Sequence, residues 1–160
     1  MKKINEIILH CSATQEGRDF KAEDIDRWHK ANGWKMIGYN YVIDLDGKVE
    51  EGRPIWMTGA HTIGHNSNSI GICYIGGVEK DNVKKPKDTR TIAQKESMYA
   101  LVHQLLSLYG LSIKDVHCHN EFANKACPSF KIEQFRDEYN KWMEEYLRLI
   151  ERDKEDTKFN

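Results

Sequence analysis

The sequence predicts an α/β domain in which a central mixed β-sheet is flanked by helices on both faces. Three observations carry that expectation. Short β-branched, apolar runs alternate along the chain with helical patterns, an Asp-Gly pair joins two of those runs, and one long apolar stripe at helical spacing has recognisable start and stop residues.

Residues 4–11 are apolar and β-branched and end in a turn-forming run, so a buried strand is expected there, with His10 at its end. In residues 21–32, Ala22, Ile25 and Trp28 recur at helical spacing, and Gly33 supplies a stop. Residues 38–44 and 48–51 flank Asp46-Gly47 and read as a hairpin. A long loop of functional character is expected over 53–69, with a strand at 70–75 behind it. Residues 79–90 are charged, contain Pro86 and lack periodicity, which predicts an exposed, mobile loop. Thr91 and Gln94 form a capping box, followed by Met98, Leu101, Val102, Leu105, Leu106 and Tyr109 on one helical face that stops at Gly110. A short strand at 113–118 and a last, charge-alternating helix at 132–152 complete the pattern. One catalytic-size domain over 1–152 is expected, followed by a polar tail at 153–160 that frays.

A chain of 160 residues can bury roughly 70% of its unfolded surface, so one core suffices without metal or disulfide staples. The 24 Lys and Arg against 25 Asp and Glu leave a net charge of -1, which argues against a nucleic-acid partner. Lys2 and Lys3 precede an apolar run too short for a signal peptide, and no stretch approaches a membrane span. Synthesis in the cytoplasm, reduced cysteines and no membrane insertion are the expectations. The even count of Cys11, Cys73, Cys118 and Cys127 also admits two disulfides, but cysteines beside histidines point to metal.

His10-Cys11, His117-Cys118-His119 and Cys127-Pro128 each fall at a strand end or in the loop after one. Two imidazoles and one thiolate satisfy a catalytic zinc, which needs three protein ligands and an open position. Isolated buried histidines and cysteines also occur as packing, so spacing alone leaves both readings open. The chain has neither an HExxH helix nor a CxxC pair, which removes the metallopeptidase and zinc-finger templates.

Taken in order, the wording of the segments narrows the choice. The chain carries His10-Cys11-Ser12-Ala13-Thr14, Trp28-His29-Lys30, Gly33-Trp34, Gly38-Tyr39, Asp46-Gly47 and Gly52-Arg53. His61, Asn66, Asn68-Ser69-Ile70-Gly71-Ile72-Cys73, Gly76-Gly77, His119 and Lys125-Ala126-Cys127-Pro128-Ser129-Phe130 follow. Over residues 4–135 this resembles the amidase-2 zinc amidases, the superfamily of the peptidoglycan recognition proteins, and especially the small phage amidases called lysozymes.

The resemblance implies a peptidoglycan-recognition-protein-like fold and hydrolysis of the amide between N-acetylmuramic acid and L-alanine. It implies one catalytic Zn2+ held by His10, His119 and Cys127, the second His lying eight residues before the Cys; His117, ten before it, does not match. It assigns Tyr39 and Lys125 as catalytic residues and His61 and Asn66 as contacts to muramyl and stem peptide; Glu121, two residues beyond a ligand, is the less favoured base. Trp34 and Trp56 could stack on sugar or pack in the core, and Cys11 is expected to face away from His10 as buried packing, like Cys73 and Cys118. The implied partner is peptidoglycan, the implied state a monomer, and the implied setting a phage endolysin that reaches the wall after release. A non-catalytic binding module, a cytoplasmic muropeptide-recycling amidase, and an enzyme using Cys127 as a nucleophile are the competing readings.

Overall fold

The structure, a computed structural model, describes residues 2–159. Its first strand β1 (Glu6–Cys11) is followed by β2 (Thr14–Gln15) and helix α1 (Ala22–Ala31). Then come β3 (Tyr41–Ile43), β4 (Val49–Glu51), β5 (Ser69–Tyr74), β6 (Gly77–Glu79) and β7 (Asn82–Pro86). Helix α2 (Ile92–Tyr109), strand β8 (Val116–Cys118) and helix α3 (Ile132–Lys158) complete the chain.

Five strands form one sheet in the order β4-β3-β5-β1-β8. β1 runs parallel to β5 and β8, β3 runs parallel to β5, and β4 closes one edge antiparallel through the expected hairpin. Alternation sends Ile7, Leu9, Ile70 and Ile72 into a core with Met98, Val102, Leu105 and Phe135 from α2 and α3. Val42 and Cys73 point the other way and pack with Ile25 and Trp28 of α1. Helices therefore cover both faces of a mixed sheet, as the alternation of patterns predicts.

The start of α2 obeys its sequence signal, because Thr91 Oγ1 accepts from the Gln94 amide at 3.0 Å and Gln94 Oε1 accepts from the Thr91 amide at 2.9 Å. The Gln94 side-chain amide also donates to the carbonyls of Ile43 and Ile75 at 3.2 and 3.0 Å, locking the helix to the ends of two strands. Gly110 ends α2 at φ 66°.

Three expectations need correction. Residues 79–90 are not a plain loop: β6 and β7 pair antiparallel and, with β2, make a second sheet of three strands. All five residues of β7 are exposed, so backbone pairing builds it without the apolar alternation that reveals a strand in sequence. Residues 113–115 form a 3₁₀ turn, which shortens β8 to three residues. Helix α3 continues to Lys158, past the point where the apolar pattern ends, because Glu, Lys and Arg propagate a solvated helix at little cost.

Arg90, whose side chain is fully buried, pairs with Asp88 at 2.9 Å and with Glu138 of α3 at 3.1 Å. Its guanidinium lies 3.9 Å from the Phe130 ring centroid, so this ion cluster joins α3 to the loop that carries Cys127.

Candidate metal centre and groove

His10 is fully buried near the carboxyl end of β1, on the face opposite Leu9 and Cys11. His119 opens a 3₁₀ turn directly after β8, whose pairing with β1 brings the two imidazoles to a centroid distance of 4.7 Å. Cys127 comes from a loop held at several points: the Tyr74 hydroxyl donates to the Pro128 carbonyl at 2.7 Å, and the Ser129 hydroxyl donates to the Gly77 carbonyl at 2.7 Å. The Asn120 amide donates to the Phe130 carbonyl at 3.0 Å. Open α/β sheets place sites outside the carboxyl ends of their strands, and these residues meet there.

One ligand atom from each of His10, His119 and Cys127 lies within 4.8 Å of the others. His10 Nδ1 is 3.7 Å from Cys127 Sγ. Tetrahedral bonds of about 2.0 and 2.3 Å to nitrogen and sulfur require a separation of about 3.5 Å, so the donor set fits zinc in both chemistry and spacing. The Cys11 amide donates to Cys127 Sγ at 3.3 Å, which suits a thiolate. Burial, then the neighbouring His61 and His119, push His10 well below the ordinary imidazole range. Burial, then Lys125, lower His119 as well. Both rings thus keep the neutral form that can donate a lone pair.

His117 stands outside the cluster. Its Nδ1 is 3.3 Å from Glu121 Oε1, while Glu121 Oε2 accepts from the Cys118 amide. The Glu121 carboxylate is thereby occupied in closing the turn. Cys11 packs in the core with its thiol against Ser129, and Cys73 and Cys118 are buried too.

Tyr39 reaches the centre from the segment before β3, its ring centroid 5.0 Å from that of His10. Gly38 makes this possible, since a Cβ there would collide with the Ala60 carbonyl. His29 Nδ1 accepts from the Gly38 amide at 2.9 Å and its ring packs against both Tyr39 and Trp34. Burial raises the Tyr39 phenol well above its ordinary value, which keeps it a donor at neutral pH.

Beside the centre runs a groove of about 650 Å³ lined by Trp34, His61, Ile63, His119, Phe122 and Lys125, among others. Lys125 is exposed on its rim, and Trp56, also exposed, is not among the lining residues. His61 and Asn66 border the groove, and their polar atoms also have partners inside the protein. His61 Nδ1 is 2.9 Å from His10 Nε2, and Asn66 Oδ1 accepts from the amides of both His61 and Thr62 at 2.8 Å.

Sequence reasoning missed the device that shapes this loop. Arg53 donates to the carbonyls of Met36, Ile37 and Thr58 at 3.2, 3.0 and 2.8 Å, clamping the segment before Tyr39 to the loop before His61. An arginine at the entry of a long loop was the available signal. Asn40 adds a second tie, its Oδ1 accepting from the Gly71 amide at 2.9 Å.

Known proteins share this sequence pattern and this fold. The family model for N-acetylmuramoyl-L-alanine amidases matches residues 1–130. The endolysin of Escherichia phage T7 is 40% identical over 129 residues, covering 81% of this chain and 83% of that protein. The endolysin of Enterobacteria phage K11 is 34% identical over 134 residues, covering 84% and 86%. Among solved structures, the amidase LysC from Clostridium intestinale superposes with a TM-score of 0.72 at 28% identity, covering 86% of each chain. Bumblebee PGRP-SA gives a TM-score of 0.68 at 30% identity over 85% of this chain and 82% of that one. On its motifs, its fold and these matches, the chain belongs to the N-acetylmuramoyl-L-alanine amidase family.

Proposed function

We propose that this amidase hydrolyses the bond between N-acetylmuramic acid and L-alanine in peptidoglycan with one zinc ion held by His10, His119 and Cys127, and that it serves as an endolysin. The observation that carries the reading is the convergence of those three donors, within 4.8 Å of one another, beside an open groove. Residues 1–152 make up the catalytic domain in this reading. The likeness to phage endolysins supports the setting, and no helix among the described residues is long and apolar enough to cross a membrane.

When bound, zinc at such a centre supplies Lewis acidity, furnishing a nucleophilic water near neutral pH and polarising the scissile carbonyl. The chain's own residues do the rest. Lys125, an exposed cation on the groove rim, faces the carbonyl oxygen as negative charge grows there and favours the transition state over the ground state. Tyr39, protonated and beside His10, hydrogen-bonds the attacking water and relays a proton toward the L-alanine nitrogen, which must leave as an amine. Exposed Ile63 and half-exposed Trp34 offer apolar surface to the glycan and stem peptide.

Mass spectrometry of digested peptidoglycan tests the bond cleaved: stem peptides with free L-alanine amino ends are expected, and new reducing sugar ends would refute the reading. Activity lost to a chelator and restored by zinc is the matching expectation for the metal. An enzyme indifferent to both treatments would transfer the chemistry to Cys127 as nucleophile, with His10 at 3.7 Å as its base.

A further inference from the structure

We propose that His61 is the positioning residue of the metal centre, accepting a hydrogen bond from His10 Nε2–H and so turning His10 Nδ1 toward Cys127 and His119. The proposal rests on the reading that these three residues hold zinc.

With His10 Nδ1 held as a metal ligand, the hydrogen bonds around it run one way. An imidazole that gives its Nδ1 lone pair to a cation carries its hydrogen on Nε2 and needs an acceptor there. The atom in place is His61 Nδ1 at 2.9 Å, with Thr62 Oγ1 at 3.3 Å. His61 must then carry its own hydrogen on Nε2, where Ser69 Oγ stands at 3.2 Å to accept it. His10, His61 and Ser69 then form a relay in which each ring nitrogen has a partner and His10 Nδ1 is free for a ligand.

The packing is built around that ring. A Cβ on Gly59 would lie 2.8 Å from His61 Cδ2, and one on Gly71 would lie 2.8 Å from both Cδ2 and Cγ. Gly71 sits inside β5, every residue of which is buried, where glycine is ordinarily a cost. The imidazole fills the space the two missing side chains leave. Asn66 then fixes the ring's backbone by taking two successive amides on one oxygen.

This gives chemical sense to two positions of the groove loop. A neutral imidazole orients the ligand as a carboxylate would, but adds no negative charge beside the ion, leaving His10 a less basic ligand and the ion more acidic. Asn66 acts one step further out, by holding His61.

Zinc affinity of the metal-free protein, measured by competition with a chelator, is the test, with 15N NMR of the histidine rings as a second readout. His61→Asn can place its amide oxygen near the position of Nδ1 and is expected to keep most of the affinity. His61→Leu fills the space without an acceptor and is expected to weaken zinc by about 10- to 100-fold. In the metal-free parent His10 is expected as the Nε2–H tautomer, and in His61→Leu as a mixture. A His61→Leu protein that binds zinc like the parent, or a His61→Asn protein that loses as much as His61→Leu, overturns the proposal. A parent that binds no zinc overturns the ligand assignment itself. Should His61→Leu fail to fold, Ser69→Ala carries the test: it removes the relay's last acceptor, and unchanged ring tautomers with unchanged zinc affinity would refute the relay.

Discussion

Replacing Gly71 by alanine probes how rigidly the centre is built. The new Cβ would lie 2.8 Å from Cδ2 and Cγ of His61 and 2.9 Å from its Nε2. Ordinary carbon contacts are about 3.5–4.0 Å, so the ring would have to retreat by roughly 0.7–1.2 Å. It has nowhere to go without loss: a shift of that size stretches the 2.9 Å contact to His10 and the 3.2 Å contact to Ser69 beyond hydrogen-bond length. The backbone cannot yield either, since the Gly71 amide and carbonyl are both bonded to Asn40 in the middle of the sheet. Overpacking of this kind costs about 1–3 kcal/mol, which for a chain of this size lowers Tm by roughly 2–12 °C. Urea and thermal unfolding of the metal-free protein, followed by circular dichroism, measure it. The decisive comparison is Gly71→Ala made on the parent and on His61→Ala, where the ring is gone. The penalty is expected to shrink on the second background, and the same penalty on both, within about 0.5 kcal/mol, would refute the clash.

Lys125→Met is expected to lower kcat by about 10²- to 10³-fold without weakening zinc, because in the proposed mechanism the ammonium acts on developing charge, and its removal relieves repulsion at His119; steady-state kinetics beside zinc titration check both halves. Arg90→Met strips the partner from Asp88 and Glu138 around a fully buried side chain, and a loss of about 3–5 kcal/mol, or roughly 6–20 °C in Tm, is expected by calorimetry. Asp44 is lifted from 3.8 to about 6 by burial, a hydrogen bond with Glu50 and that residue's charge. The folded chain therefore holds this proton more tightly than the unfolded one, so its contribution is fully present below pH 3.8 and is lost as pH rises through about 6. Asp44→Asn is accordingly expected to gain on the parent between pH 4 and pH 7 in urea unfolding, and parallel profiles would contradict it.

Much of this protein is legible before folding because its signals are local. The capping box of Thr91 and Gln94, the stop at Gly110 and the turn at Asp46-Gly47 each depend on backbone geometry within a few residues. Buried parallel strands announce themselves as apolar runs, so β1 and β5 fall where those runs lie. What failed was the strand with no burial to betray it, β7, and the end of α3, where apolar spacing stops before the helix does.

The site divides along the same line. Chain order and motif wording name His10, His119 and Cys127, but which of His117 and His119 joins the others depends on the turn after β8, which sends one ring to His10 and the other to Glu121. Nothing local says that His61 turns inward. Its neighbours, Gly59, Gly71, Ser69 and His10, come from the loop and from two strands paired across the sheet, and only their meeting creates a slot that an imidazole fills. The sequence by itself determined the elements and the chemical types available, because propensity, capping and burial act over one or two turns of chain. The tertiary structure alone decided which nitrogen faces which partner, because hydrogen bonds and steric contacts extend over a few ångströms in space between residues up to 118 positions apart in the chain.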